Sequence, residues 1–96
     1  MISSMTGMLA SSKTGRDKDT VYIIIKEEKE YVYLVNGLSR KLDNPKKKNK
    51  KHIQIIKKMQ DPLLAEKITE GTVNDLEIRM HIKKWYEKQE VVNVKS

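Results

Sequence analysis

Residues 20–37 read TVYIIIKEEKEYVYLVNG. Two runs of β-branched and aromatic residues, Thr20 to Lys26 and Tyr31 to Val35, flank the charged turn Glu27 to Glu30. β-branched side chains are stiff at χ1 and suit a pleated surface, so both runs predict strands. In the first run Val21, Ile23 and Ile25 alternate with Tyr22 and Ile24. Side chains on a strand alternate between faces, so both faces are apolar, which suits a central strand of a small barrel. Asn36-Gly37 follows at once. That dipeptide suits the two positive φ values of a type I′ turn and predicts a hairpin, with Leu38 to Leu42 returning as the next strand. Asn36, Gly37 and Gly15 are the candidate structural turn residues.

The rest of the chain extends this pattern. Met8-Leu9-Ala10 after Gly7 predicts a short first strand, and His52 to Ile56 a last one. Pro62 to Thr69 predicts a short helix, with Pro62 in its first turn and Gly71 beyond its end. Asn74 with Glu77 three residues on forms a capping box for a second helix. Ile78, Ile82, Trp85 and Gln89 share a face of that helix. The expected fold class is mainly β, a small barrel over residues 5–57, followed by a short helical appendage over 58–90 and a frayed tail over 91–96.

The chain has 96 residues and a net charge of +7. That length suits one domain with a small core. The excess charge is concentrated: residues 13–58 hold 14 Lys/Arg against 6 Asp/Glu, whereas 59–96 hold 6 against 7. Its densest part is Lys46-Lys47-Lys48-Asn49-Lys50-Lys51, which follows Pro45 and is expected to be a loop. Lysine is a compact cation suited to phosphate, so this run reads as a polyanion contact with little base readout. A solvated loop is the other reading of the same residues. Lys13, Arg16 and Lys18 around Gly15, and Arg40 and Lys41 after the hairpin, extend the candidate set. Tyr22, Tyr31 and Tyr33 offer ring faces for base stacking, although packing on the sheet is the default for tyrosines in strands.

Other chemistry has little support. There is no cysteine, which excludes thiolate metal sites and disulfides and is compatible with a reducing cytoplasm. His52 and His81 have no metal-ligand spacing. The serines Ser3, Ser4, Ser11 and Ser12 have no nucleophile-elbow context. A lone Gly15 before a lysine is not a P-loop. No catalytic residue, cofactor, metal or small-molecule substrate is expected. The start lacks a basic segment followed by an apolar one, so no signal peptide is expected, and no run is long enough to span a membrane.

The order of these signals carries a resemblance. A Gly15-Arg16-Asp17-Lys18 turn precedes a valine/isoleucine strand, then Tyr31-Val32, Asn36-Gly37, Arg40-Lys41 and Asn44-Pro45-Lys46-Lys47-Lys48. From about Gly7 to Lys51 this resembles a KOW domain, with Gly15 at the family's fixed glycine. Asp19 stands where many members carry a second glycine. The whole pattern, with the helical segment Thr72 to Glu87, is similar to bacterial KOW-containing RNA-binding proteins. These are relatives of the archaeal and eukaryotic large-subunit ribosomal protein fourteen-e. The resemblance implies an SH3-like barrel, a cytoplasmic, translation-linked setting, and RNA as partner, ribosomal RNA foremost, with ribosomal proteins as further neighbours. The alternative is a protein–protein adaptor that docks its β-domain on the ribosome or the transcription machinery, with the lysines serving solubility and steering.

Overall fold

The computed structural model describes residues 4–13, 20–57 and 61–95. Five strands come first: β1 (Leu9–Ser12), β2 (Val21–Glu27), β3 (Tyr31–Val35), β4 (Lys46–Asn49) and β5 (Ile53–Lys57), with a single 3-10 turn, Lys50–His52, between the last two. Two helices follow, α1 (Pro62–Glu70) and α2 (Asp75–Lys95). Residues 91–95, expected as a frayed tail, continue the helix.

The strands form one antiparallel sheet in the order β4-β3-β2-β1-β5. The expected closure into a barrel is not seen: among the described residues no pairing joins β4 to β5. The connection nevertheless forces a strong curl. Five flat strands place their outer edges about 19 Å apart. The chain crosses from Asn49 on one edge to Ile53 on the other through the 3-10 turn alone, a path that reaches about 14 Å at most. Irregular pairing between Leu9 and Ala10, and between Ile24 and Lys26, supplies the bends.

The alternation read in β2 has its physical consequence here. Ala10, Tyr22, Ile24, Val32, Leu34 and Ile53 form a cluster on one side of the sheet. Leu9, Val21, Ile23 and Val35 face the other way and meet Leu64 of α1 and Ile78 and Ile82 of α2. The segment expected as an appendage therefore shares a core with the sheet. Burying each such side chain contributes about 1.5–3 kcal/mol. Both helices start as their sequences direct. Asp61 Oδ1 accepts from the Leu63 and Leu64 N–H groups, and Gly71 ends α1 with φ 77°. Asn74 Oδ1 accepts from Glu77 N–H at 2.9 Å, and Glu77 Oε1 accepts from Asn74 N–H at 3.1 Å. Trp85 packs against the helix-side core, as an anchoring role requires.

The region after β3 departs from expectation. Residues 38–42 are not a strand, and Asn36 does not adopt positive φ; Gly37 does, at 78°. The Asn36 side chain makes a different turn. Its Oδ1 accepts from the Leu38 and Arg40 N–H groups, both at 2.9 Å, while the Asn36 and Gly37 N–H groups both donate to the Arg40 carbonyl. A side chain bonding its own following backbone competes with a hairpin ladder. The loop then lies on α2, where Leu42 N–H donates to Asp75 Oδ1 at 2.8 Å. The strand that pairs with β3 is the lysine run itself, β4, which was expected as a loop.

Candidate nucleic-acid interface

β4 is an edge strand, and lysines are among the residues that keep an exposed edge from pairing with another chain. Its register sets where each cation goes. Lys46 stands opposite Leu34 and Lys48 opposite Val32, whereas Lys47 stands opposite Tyr33 and Asn49 opposite Tyr31. Lys46 and Lys48 thus belong to the face that carries the Val32/Leu34 cluster, and Lys47 to the other. The run is split between the two faces of one edge.

Lys47 is held over aromatic rings. Its Nζ lies 4.4 Å from the Tyr31 ring centroid and 6.0 Å from that of Tyr33. Lys26, opposite Tyr33 on β2, places Nζ 5.4 Å from the same Tyr33 ring. The Tyr33 hydroxyl donates to Glu28 Oε1 at 3.3 Å, and Glu28 is 3.9 Å from the Lys26 ammonium. Each cation–π contact at such a site contributes about 0.5–1 kcal/mol. On the other face Lys46 Nζ is 5.9 Å from the ring centroid of Tyr22, which is buried and so gives no stacking surface. Tyr31 is the exposed tyrosine of the strands.

Lys50 has a different role. Its ammonium donates to Glu27 Oε2 at 2.6 Å in a half-buried pair, and Glu27 Oε1 accepts from the Met5 N–H at 2.8 Å. The Lys50 hydrogen bond, then that of Met5, hold the Glu27 carboxyl below its ordinary range against the opposing effect of burial. The charge of Lys50 is therefore matched within the fold, where it ties the 3-10 turn to β2.

The remaining candidates fall at the two ends of β4. Lys13 N–H donates to the His52 carbonyl at 2.8 Å, which brings exposed Lys13 beside exposed Lys51. Lys50 N–H donates to the Glu30 carbonyl, and a cleft of about 350 Å³ there is lined by Lys29, Glu30, Asn49, Lys50 and Lys51. Arg40 and Lys41 lie in the loop at the opposite end, beyond Lys46. The order along the edge is thus Arg40 and Lys41, then Lys46, Lys47 and Lys48, then Lys51 with Lys13. Gly15, Arg16 and Lys18 lie outside the described residues. Sequence reasoning missed Lys26 and Lys29. Lys26 became visible only through its register with Tyr33, and Lys29 through the turn that meets Lys50.

Among the described residues no group of acidic residues and histidines is placed to hold a metal ion, and no helix is long and apolar enough to cross a membrane. No family model matches the chain, and no curated protein matches it.

Proposed function

We propose that this chain binds structured RNA along the β3–β4 edge and catalyses no reaction. The observation that carries this reading is a lysine-rich edge strand whose central ammonium is held against Tyr31, with further cations at both ends. Ammonium groups neutralise phosphate without reading bases. With Lys47 over Tyr31, base stacking there is secondary and discrimination between sequences is low. The curled sheet, with its short turn from β4 to β5, is compatible with an SH3-like barrel and with the KOW resemblance. On that resemblance the RNA is ribosomal or ribosome-linked, and the setting is cytoplasmic.

The test is titration of the full chain against a structured ribosomal RNA fragment at several salt concentrations, for wild type and for the Lys46→Gln/Lys47→Gln/Lys48→Gln variant. Neutralising about four to six phosphates gives a log–log slope of about −3 to −5. The triple variant should bind more weakly, with a slope shallower by up to about 0.9 for each phosphate it no longer neutralises. A folded triple variant with wild-type affinity and salt dependence refutes the proposal.

A further inference from the structure

A second surface lies away from the lysine strand. The Asn36–Arg40 turn and one face of α2 enclose a groove of about 430 Å³. Its base is apolar and buried, formed by Val21 and Ile82. Its sides are Leu38, 64% exposed, and Tyr86, 44% exposed. Large apolar side chains standing in solvent on both sides of one concavity mark an interaction site rather than scattered surface. The groove is also built to keep its shape. Gly37 lets the turn sit directly on α2, where a Cβ at this position would be 2.6 Å from Arg79 Cγ. Leu42 is tied to Asp75 a few residues further on.

The rim states the charge of the occupant. Arg79, Lys83 and Glu87, successive turns of α2, all line the groove, so two cations stand against one carboxylate, and neither Arg79 nor Lys83 has an ion pair among the described residues. Two cations beside an apolar trough complement carboxylates flanking an apolar side chain. We infer that this groove docks a short acidic-apolar segment of a partner protein, with a leucine-like or aromatic side chain between Leu38 and Tyr86 and its carboxylates on Arg79 and Lys83. The trough is too apolar to be a phosphate track, and the lysine strand does not line it.

The experiment pans a library of random peptides on the full chain, then measures the enriched peptides against wild type, Leu38→Ser and Lys83→Glu. Both substitutions are at exposed positions, and circular dichroism checks that each variant folds. The expected result is peptides with an apolar residue beside Asp or Glu, bound about tenfold more weakly by either variant. Their binding should shift the backbone amide resonances of Val21, Leu38 and Tyr86 in the isotope-labelled chain. The inference fails if no peptide is enriched, if the enriched peptides lack carboxylates, or if Lys83→Glu binds them equally well. It also fails if a ribosomal RNA fragment shifts the same resonances and displaces the peptides. Concentration-dependent dimerisation that Leu38→Ser abolishes assigns the groove to a second copy and overturns it too. Apart from the RNA result, which would also count against the β3–β4 edge as the RNA site, these results leave the lysine strand to its separate test by salt dependence.

Discussion

Two glycines of this chain form a matched pair for measuring what the packing of the loop on the helix contributes. Gly37 and Gly71 have nearly the same backbone, with φ of 78° and 77°. Replacing either with alanine forces an L side chain into the left-handed region, at about 1–2 kcal/mol. The surroundings differ. A Cβ at Gly71 meets nothing within 4 Å, whereas one at Gly37 comes to 2.6 Å from both Arg79 Cγ and the Asp75 carbonyl oxygen. The arginine stem can swing away, but the carbonyl belongs to the first turn of α2 and moves only if the helix or the loop moves. Forced overpacking of this kind costs about 1–3 kcal/mol. Gly37→Ala should therefore destabilise the chain by about 2–5 kcal/mol and Gly71→Ala by about 1–2 kcal/mol. In a domain of this size each kcal/mol lowers the melting temperature by about 4–8 °C. Urea and thermal unfolding of the two variants beside wild type make the comparison, and the shared backbone term cancels in their difference. Gly37→Asn refines it, because asparagine tolerates positive φ but still brings a Cβ. It should recover part of the about 1–2 kcal/mol backbone cost and keep the packing cost. Equal costs for Gly37→Ala and Gly71→Ala would refute the claim that the turn sits on α2, and with it the shape of the groove at Leu38.

Three further outcomes follow from the geometry. Glu27 has a folded pKa below its ordinary 4.5, so its contribution to stability is present above that value and is lost as pH falls through the lower folded one; unfolding from pH 7 down to 3 should show a smaller acid-induced loss for Glu27→Gln than for wild type. Lys50→Gln should lower stability while leaving the RNA salt slope nearly unchanged, whereas Lys47→Gln should make the slope shallower and cost no more than the about 0.5–1 kcal/mol of each cation–π contact it loses; slopes measured beside melts separate the two. Asn74→Ala removes the reciprocal cap of α2 and should cost about 1 kcal/mol in urea unfolding, with no change expected in RNA affinity.

The parts legible in the sequence were those where local preference and final environment agree. β2 and β3 are β-branched runs with the right alternation, and both helices carry the caps their sequences direct. The Asn36-Gly37 signal misled because two physical demands share that dipeptide. Glycine with positive φ was required, but for close approach to α2, and the asparagine served through its side chain instead of its backbone. β4 was hidden for another reason. Lysine has little strand preference, so Lys46–Asn49 is a strand only because β3 presents an unpaired edge to it. No local signal reports that. The Lys50–Glu27 pair was out of reach too, since its partners are 23 residues apart and meet only because β4 pairs with β3 and brings Lys50 to the β2–β3 turn.

The lysine strand meets two demands at once, and this explains how charges so close together remain folded. A row of cations on an edge repels itself, which argues for a loop. Alternation relieves that repulsion by sending Lys47 to the face opposite Lys46 and Lys48. The tyrosine quadrupoles offset part of the rest, with Lys47 over Tyr31 and Lys46 near Tyr22. Both ends of the row are also anchored. The Lys50–Glu27 pair ties down the turn after β4, and the Gly37 and Leu42 contacts hold the preceding loop against α2. Cations whose backbone is already ordered lose less conformational entropy on meeting phosphate than those of a free tail. The same positive edge resists strand addition by another copy of the chain. A strand with these lysines on an open edge is therefore poorly suited to sheet-to-sheet association and well suited to a polyanion.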